Sequence, residues 1–151
     1  MNLIIKLAYQ ASRLFLLLFK PMTVGVRLLM LRGEQVLLVN HVYENTWYLP
    51  GGLVEKGETL EAAARREAFE EVGATLADID LYGVYTNMKY GRSDHIVVFI
   101  SRDFSLNGQS DHEIKALDFY PLDALPENTS SGSRNRVKDL IRNTQVRFGN
   151  W

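Results

Sequence analysis

Apolar residues recur with a helical period along the first twenty positions. Ile4, Leu7, Ala8, Ala11, Leu14, Phe15 and Leu18 form one stripe, and Lys6, Gln10 and Arg13 fall off it. The spacing predicts a helix that ends before Pro21. Leu16, Leu17 and Phe19 make its second half apolar almost all round, so it should bury more than one side, against the domain or against a second copy of the chain in a homodimer. Lys6, Gln10 and Arg13 interrupt the run of about 20 apolar residues that a spanning helix needs. A membrane-surface helix over residues 3–19 is the weaker alternative. An export signal is weaker still, because no small-x-small cleavage site follows the apolar run.

The pattern then changes from helical to strand-like. Thr23–Leu31 and Gln35–Asn40 are apolar, β-rich runs around Gly33-Glu34 and predict a hairpin. Leu81–Tyr90 and His95–Ser101 predict a second pair around Gly91-Arg92-Ser93. A last helix should begin near Ser133, with Val137, Leu140 and Ile141 on its inner face. No repeat, long linker or low-complexity tract divides the chain. The expected organisation is a terminal helix over 1–20 and one domain over 21–151.

The middle helix carries the chemistry. Thr59 suits an N-cap, Glu61 the positive end of the dipole, and Gly73 the C′ position. Between these limits Glu67, Glu70 and Glu71 share one face, with Phe69 pointing away. Each like-charged pair costs an isolated helix roughly 0.2–0.5 kcal/mol, and a divalent cation would remove that cost. Carboxylate oxygens suit Mg²⁺, or Mn²⁺, hard ions that retain waters and bridge protein to phosphate. Arg66 could grip one carboxylate bidentately. Pro50-Gly51-Gly52 upstream is a sharp, side-chain-poor approach whose carbonyls can reach an ion. Taken alone, the three glutamates also fit a solvated acidic face.

Composition narrows the classes. The chain has 151 residues, a formal charge of −1 and no cysteine, which fits one domain and excludes disulfides and thiol catalysis. The absence of cysteine also suits a cytoplasmic, reducing compartment, with peripheral membrane association as the alternative. Near-neutral charge gives no reason to expect nucleic acid as a partner. His41, His95 and His112 lack zinc-site spacing and read as ordinary polar or partly buried histidines.

From Gly52 to Ala74 the chain fits G-x5-E-x7-R-E-U-x-E-E-x-G-U, with U aliphatic, through Gly52, Glu58, Arg66, Glu67, Glu70, Glu71 and Gly73. It therefore resembles the Nudix box of the Nudix hydrolases. Ala68 and Ala74 are smaller than usual at packing positions. A weaker resemblance runs from Thr23 to Pro126, through Trp47–Gly52 before the box and Phe119–Pro126 after it. The resemblance implies an α/β/α sandwich with a mixed β-sheet, to which the N-terminal helix would be an addition. It also implies metal-dependent water attack on a nucleoside diphosphate linked to another moiety. Admissible substrates are nucleotide sugars, dinucleoside polyphosphates, ADP-ribose and nucleoside triphosphates. A nucleotide-binding sensor without useful turnover is the alternative, against which the intact carboxylates argue.

Carried over residue by residue, Glu67, Glu70 and Glu71 would ligate metal with the Gly51 carbonyl, Glu58 would assist from the loop, and Arg66 would orient a glutamate. The base would come from the box or from a later loop, where Glu113 stands ahead of Asp111. Arg27 interrupts an apolar strand and needs an anion, either a carboxylate or a substrate phosphate. Lys89 and Arg92 could gather further phosphate charge. Tyr90 falls where a tyrosine marks dinucleoside polyphosphate hydrolases, and Tyr43, Trp47 and Tyr48 could stack on a base or fill the core.

Overall fold

The computed structural model describes residues 22–88, 93–143 and 148–151, together with Leu7, Gln10, Ala11, Leu14 and Leu18. Of the N-terminal stripe, Ile4, Ala8 and Phe15 lie outside the described residues, while Leu7, Leu14 and Leu18 are exposed rather than packed on the domain. The candidate substrate contacts Lys89, Tyr90 and Arg92 also lie outside the described residues. Among the described residues no helix is long and apolar enough to cross a membrane.

The first predicted hairpin forms and then opens. Strands β1 (Thr23–Arg32) and β2 (Gln35–His41) turn through Gly33, at φ 57°, and pair only at Leu31↔Val36 and Arg32↔Gln35. Beyond those pairs β1 runs parallel to β6 (Asp94–Ser101), and β2 runs antiparallel to β8 (Ile114–Pro121). Residues Pro50–Val54 occupy the opening along β1. Val26 and Leu28 donate to the carbonyls of Gly52 (2.8 Å) and Pro50 (2.9 Å), and Val54 donates to Val24 (2.9 Å). Gly51 adopts φ 136° there, and a Cβ would stand 2.2 Å from the Val26 carbonyl oxygen. The start of the box is therefore held against β1 by a close approach that only glycine allows.

The second predicted pair is β5 (Asp80–Asn87) with β6, antiparallel. Short strands complete the mixed sheet, β3 (Trp47–Tyr48) beside β2 and β9 (Phe148–Asn150) parallel to β5. A separate ribbon joins β4 (Ala74–Leu76) to β7 (Phe104–Leu106).

Side-chain alternation along β1 fixes the layers. Val26, Leu28 and Met30 enter one core with Ala63, Ala64, Ala68 and Val72 of helix α1 (Leu60–Val72). Leu29 and Leu31 enter the other with Val137 and Leu140 of helix α2 (Ser131–Ile141). The α/β/α sandwich follows from these two faces. Ala68 and Ala74 are fully buried, so their small size brings α1 and its following strand close to the sheet. The expected caps are present. Thr59 Oγ1 accepts from the Ala62 N–H at 3.1 Å, and Gly73 sits at φ 66° with its N–H bonded to the Phe69 carbonyl. One packing expectation fails: Ile141 is 52% exposed, because α2 ends there and only Val137 and Leu140 face inward.

Candidate active site

A cleft of about 740 Å³ opens where β1, the glycine loop, α1 and the approach to β8 meet. Glu67 and Glu71 form its α1 wall, and Arg27, His41, Gly51 and Glu113 also line it. Glu71 is largely enclosed, its side chain 13% exposed. One carboxylate oxygen accepts the Gly51 N–H at 2.7 Å, and the other lies 3.8 Å from His41 Nε2. Burial pushes its pKa up to about 7 against the opposing pull of Arg27 and the Gly51 N–H. Burial also raises Glu67. His41 is held down to about 4, first by burial and then by the Arg27 charge, and it stacks on Tyr43 with centroids 4.9 Å apart.

Arg66 organises the outer rim. Its Nε and Nη2 donate to the two oxygens of Glu58 at 2.9 and 3.0 Å, while Nη1 reaches Glu67 at 2.8 Å and Glu70 at 3.1 Å. Nη2 also donates to the Leu53 carbonyl at 3.0 Å. The hydrogen bonds of the fork lower the Glu58 pKa from its ordinary value, and its carboxylate partners raise the Arg66 pKa in turn.

The sequence from 21 to 140 matches the NUDIX domain family. The chain is a Nudix hydrolase. It is 30% identical over 116 residues to an ADP-ribose pyrophosphatase of Methanocaldococcus jannaschii, covering 74% of this chain and 68% of that one. It is 41% identical over 64 residues to a putative 8-oxo-dGTP diphosphatase of Bacillus subtilis, covering 42% of this chain and 43% of that one. Among solved structures it resembles a MutT Nudix hydrolase from Burkholderia pseudomallei with TM-score 0.71 and 26% identity, covering 78% of this chain and 97% of that one. Enzymes of this family act on pyrophosphate bonds.

Within this Nudix hydrolase the expected residues separate into two groups. Glu67, Glu71, Gly51, Arg27 and Glu113 line one cleft. Glu70 does not line it; half its side-chain surface is exposed and it pairs with Arg66. The three glutamates therefore do not converge as a simple helix-face drawing suggests, because the cleft lies beside the Glu67/Glu71 edge of α1. The bidentate partner of Arg66 is Glu58 rather than a glutamate of the helix, since the loop carboxylate meets the fork edge-on. The Gly51 carbonyl accepts from Arg27 Nη1, which also reaches the Leu49 carbonyl at 3.2 Å. Arg27 Nη1 is thus satisfied on backbone oxygens, with Glu67 and Glu71 near enough to feel the guanidinium charge.

Of the candidate stacking residues, Tyr43 lines the cleft, Trp47 packs edge-on against Tyr120 at 5.0 Å, and Tyr48 packs against the core. His41, expected to be an ordinary histidine, is a cleft wall. Its position at the end of β2 carried no spacing signal. Asp94, whose carboxylate accepts from Thr23 Oγ1, also lines the cleft and was not foreseen.

A hard divalent cation fits the donor chemistry. Two largely buried carboxylates, whose anions burial disfavours, stand on one wall, and oxygen donors of this number suit an ion that keeps waters and shares substrate phosphates. Among the described residues no group of three or more His, Asp or Glu side chains is placed to hold an ion unaided. Such an ion would need part of its shell from water or substrate.

Proposed function

We propose that this chain hydrolyses the pyrophosphate linkage of a nucleoside diphosphate bearing a second moiety, with Mg²⁺ (or Mn²⁺) bound between Glu67 and Glu71. The observation that carries the reading is the pair of largely buried carboxylates, Glu67 and Glu71, beside Arg27 in one cleft. When bound, the cation supplies phosphate neutralisation and an acidified water. The protein's own residues do the rest. Arg27, anchored on the carbonyls of Leu49 and Gly51, presents positive charge to a phosphate. Arg66 holds Glu67 at the rim through Nη1 and is a positioning residue. Glu113 stands in the cleft as the candidate base, its backbone carbonyl tied to the Val42 N–H at 2.9 Å. Glu70, held by Arg66 through one oxygen, would have to turn toward the cleft to enter the metal shell.

The relatives support ADP-ribose and oxidised nucleoside triphosphates as the first substrates to try, followed by nucleotide sugars and dinucleoside polyphosphates. The test is a Mg²⁺-supplemented screen of nucleotide pyrophosphates in oxygen-labelled water. The expected result is a labelled phosphate product, whose identity gives the bond cleaved. Tight binding of these nucleotides without turnover, in Mg²⁺ or Mn²⁺, would overturn the hydrolytic reading in favour of a sensor.

A further inference from the structure

A second cavity, of about 420 Å³, lies at the opposite end of β1 from the cleft and is lined by Leu31, Arg32, Gly33, Glu34, Arg102 and Phe104. We propose that it binds a small phosphate-bearing molecule between Arg32 and Arg102. Two observations carry this. The Arg32 guanidinium lies over the Phe119 ring at 4.3 Å and beside Phe104 at 6.0 Å, on a stacked pair of rings 6.3 Å apart. Neither Arg32 nor Arg102 uses its guanidinium in a hydrogen bond or ion pair among the described residues.

A guanidinium covered on its face by an aromatic ring keeps its N–H edge directed outward, already oriented for the bidentate geometry of a phosphate. Arg102 is positioned by its backbone, whose N–H is capped by the Asp78 carboxylate at 3.0 Å, with Ser101 Oγ and the Asp103 N–H on the same oxygen. Its side chain is thereby brought to the same cavity from the end of β6. Glu34 is the one acid on the wall, and it sets a preference for ligands that present one compact anionic group to the arginines. The volume falls within the range of small-molecule sites. The site is separate from the cleft, because Arg27 and Arg32 are five strand positions apart, roughly 16 Å along β1.

The full-length protein, labelled for amide NMR and held without divalent metal, is titrated separately with inorganic pyrophosphate and with AMP, each to about 10 mM, beyond the millimolar range of a weak ion site. The expected result is saturable shifts of the Leu31–Glu34 and Arg102–Phe104 amides, with affinity reduced at least about tenfold in Arg32→Gln/Arg102→Gln. Arg32→Lys, which keeps charge without the planar fork, should also weaken binding. Tighter AMP than pyrophosphate binding would assign a nucleotide, and equal or weaker AMP binding would assign the phosphate group alone; both uphold the site. No saturable shift at these amides, shifts confined to the Gly51–Glu71 cleft, or unchanged affinity in a double variant of wild-type melting temperature would each overturn it.

Discussion

Arg66 and Arg136 are the same side chain in two helices, used in opposite ways. Arg66 on α1 stands at the rim of a cleft and spends its N–H groups on Glu58, Glu67 and Glu70. Arg136 on α2 is buried. Its guanidinium lies over Tyr85 at 3.7 Å and near Trp151 at 5.7 Å, donates to the Asn150 carbonyl at 3.0 Å, and pairs with Asp139 at 3.0 Å. One arginine arranges acids that can exchange partners at a wet edge, and the other pins the last strand to the sheet through ring faces and a carbonyl. Charge at the rim is available for chemistry, whereas charge in the second core is committed to the fold.

The largest expected effect lies on the cleft side of that comparison. Glu71→Gln removes a buried anion at nearly constant volume, and steady-state kinetics at limiting Mg²⁺ should show kcat lowered by about 100-fold or more, as loss of a key electrostatic group does. The same substitution relieves a desolvated charge, so urea unfolding in chelator above pH 7 should show a variant at least as stable as wild type. An active Glu71→Gln enzyme, or an unstable one, would break the assignment.

The fold side gives the converse. Arg136→Leu should lower stability by about 2–4 kcal/mol through loss of the paired charge, Asp139 being left without its partner. Protein that stays folded at low temperature should retain kcat. Arg66→Lys sharpens the contrast. It keeps charge but loses the fork on Glu58, and should reduce kcat about tenfold with little change in KM or melting temperature. A change in KM alone would make Arg66 a substrate contact.

The smallest effect is in pH dependence. Unfolded His41 takes up a proton near its ordinary 6.5 while the folded residue resists to about 4, so stability from neutral His41 is complete above 6.5 and lost as pH falls toward 4. Folded Glu71 keeps its proton to about 7 against an ordinary 4.5, so its contribution is complete below 4.5 and lost as pH rises through 7. Each window corresponds to about 3 kcal/mol, and between pH 4.5 and 6.5 the two slopes offset one another. Denaturation of metal-free protein across this range should therefore give a shallow profile. His41→Asn should uncover a stability that declines with rising pH, steepened by Glu67, which burial also raises.

Much of this was legible in the sequence where the signal was local. The caps at Thr59 and Gly73, the turn at Gly33 and the box spacing each rest on a few neighbouring residues, and the structure places them as read. The partners of the strands were not legible. The pattern that marks β1 and β2 as a hairpin says nothing of their divergence after two pairs, which is set by β6, β8 and the inserted glycine loop. Strands β3, β4 and β9 are two or three residues long, too short to show a period. Arg136 and Tyr85 look like an ordinary helix cation and strand aromatic until α2 crosses the sheet. At the site, residue types on α1 foretold an acidic edge, but only tertiary placement separates Glu71, enclosed under His41, from Glu70 at the rim.

The splayed hairpin has a consequence for the order in which the molecule is made. Strand β1 leaves the ribosome long before its partner β6, with Thr23 meeting Asp94 and Met30 meeting Ser101. Local turns reward the chain early, but these distant pairs must first close a long loop. A nascent chain that has already released every glutamate of α1 still lacks the far wall of the cleft, which arrives with Asp94 and then Glu113. Catalytic competence is therefore expected to appear late in synthesis and abruptly, after the polypeptide has carried its acids unassembled for some forty residues beyond Glu71. Ribosome-bound chains arrested before and after Glu113 has cleared the exit tunnel should show that step.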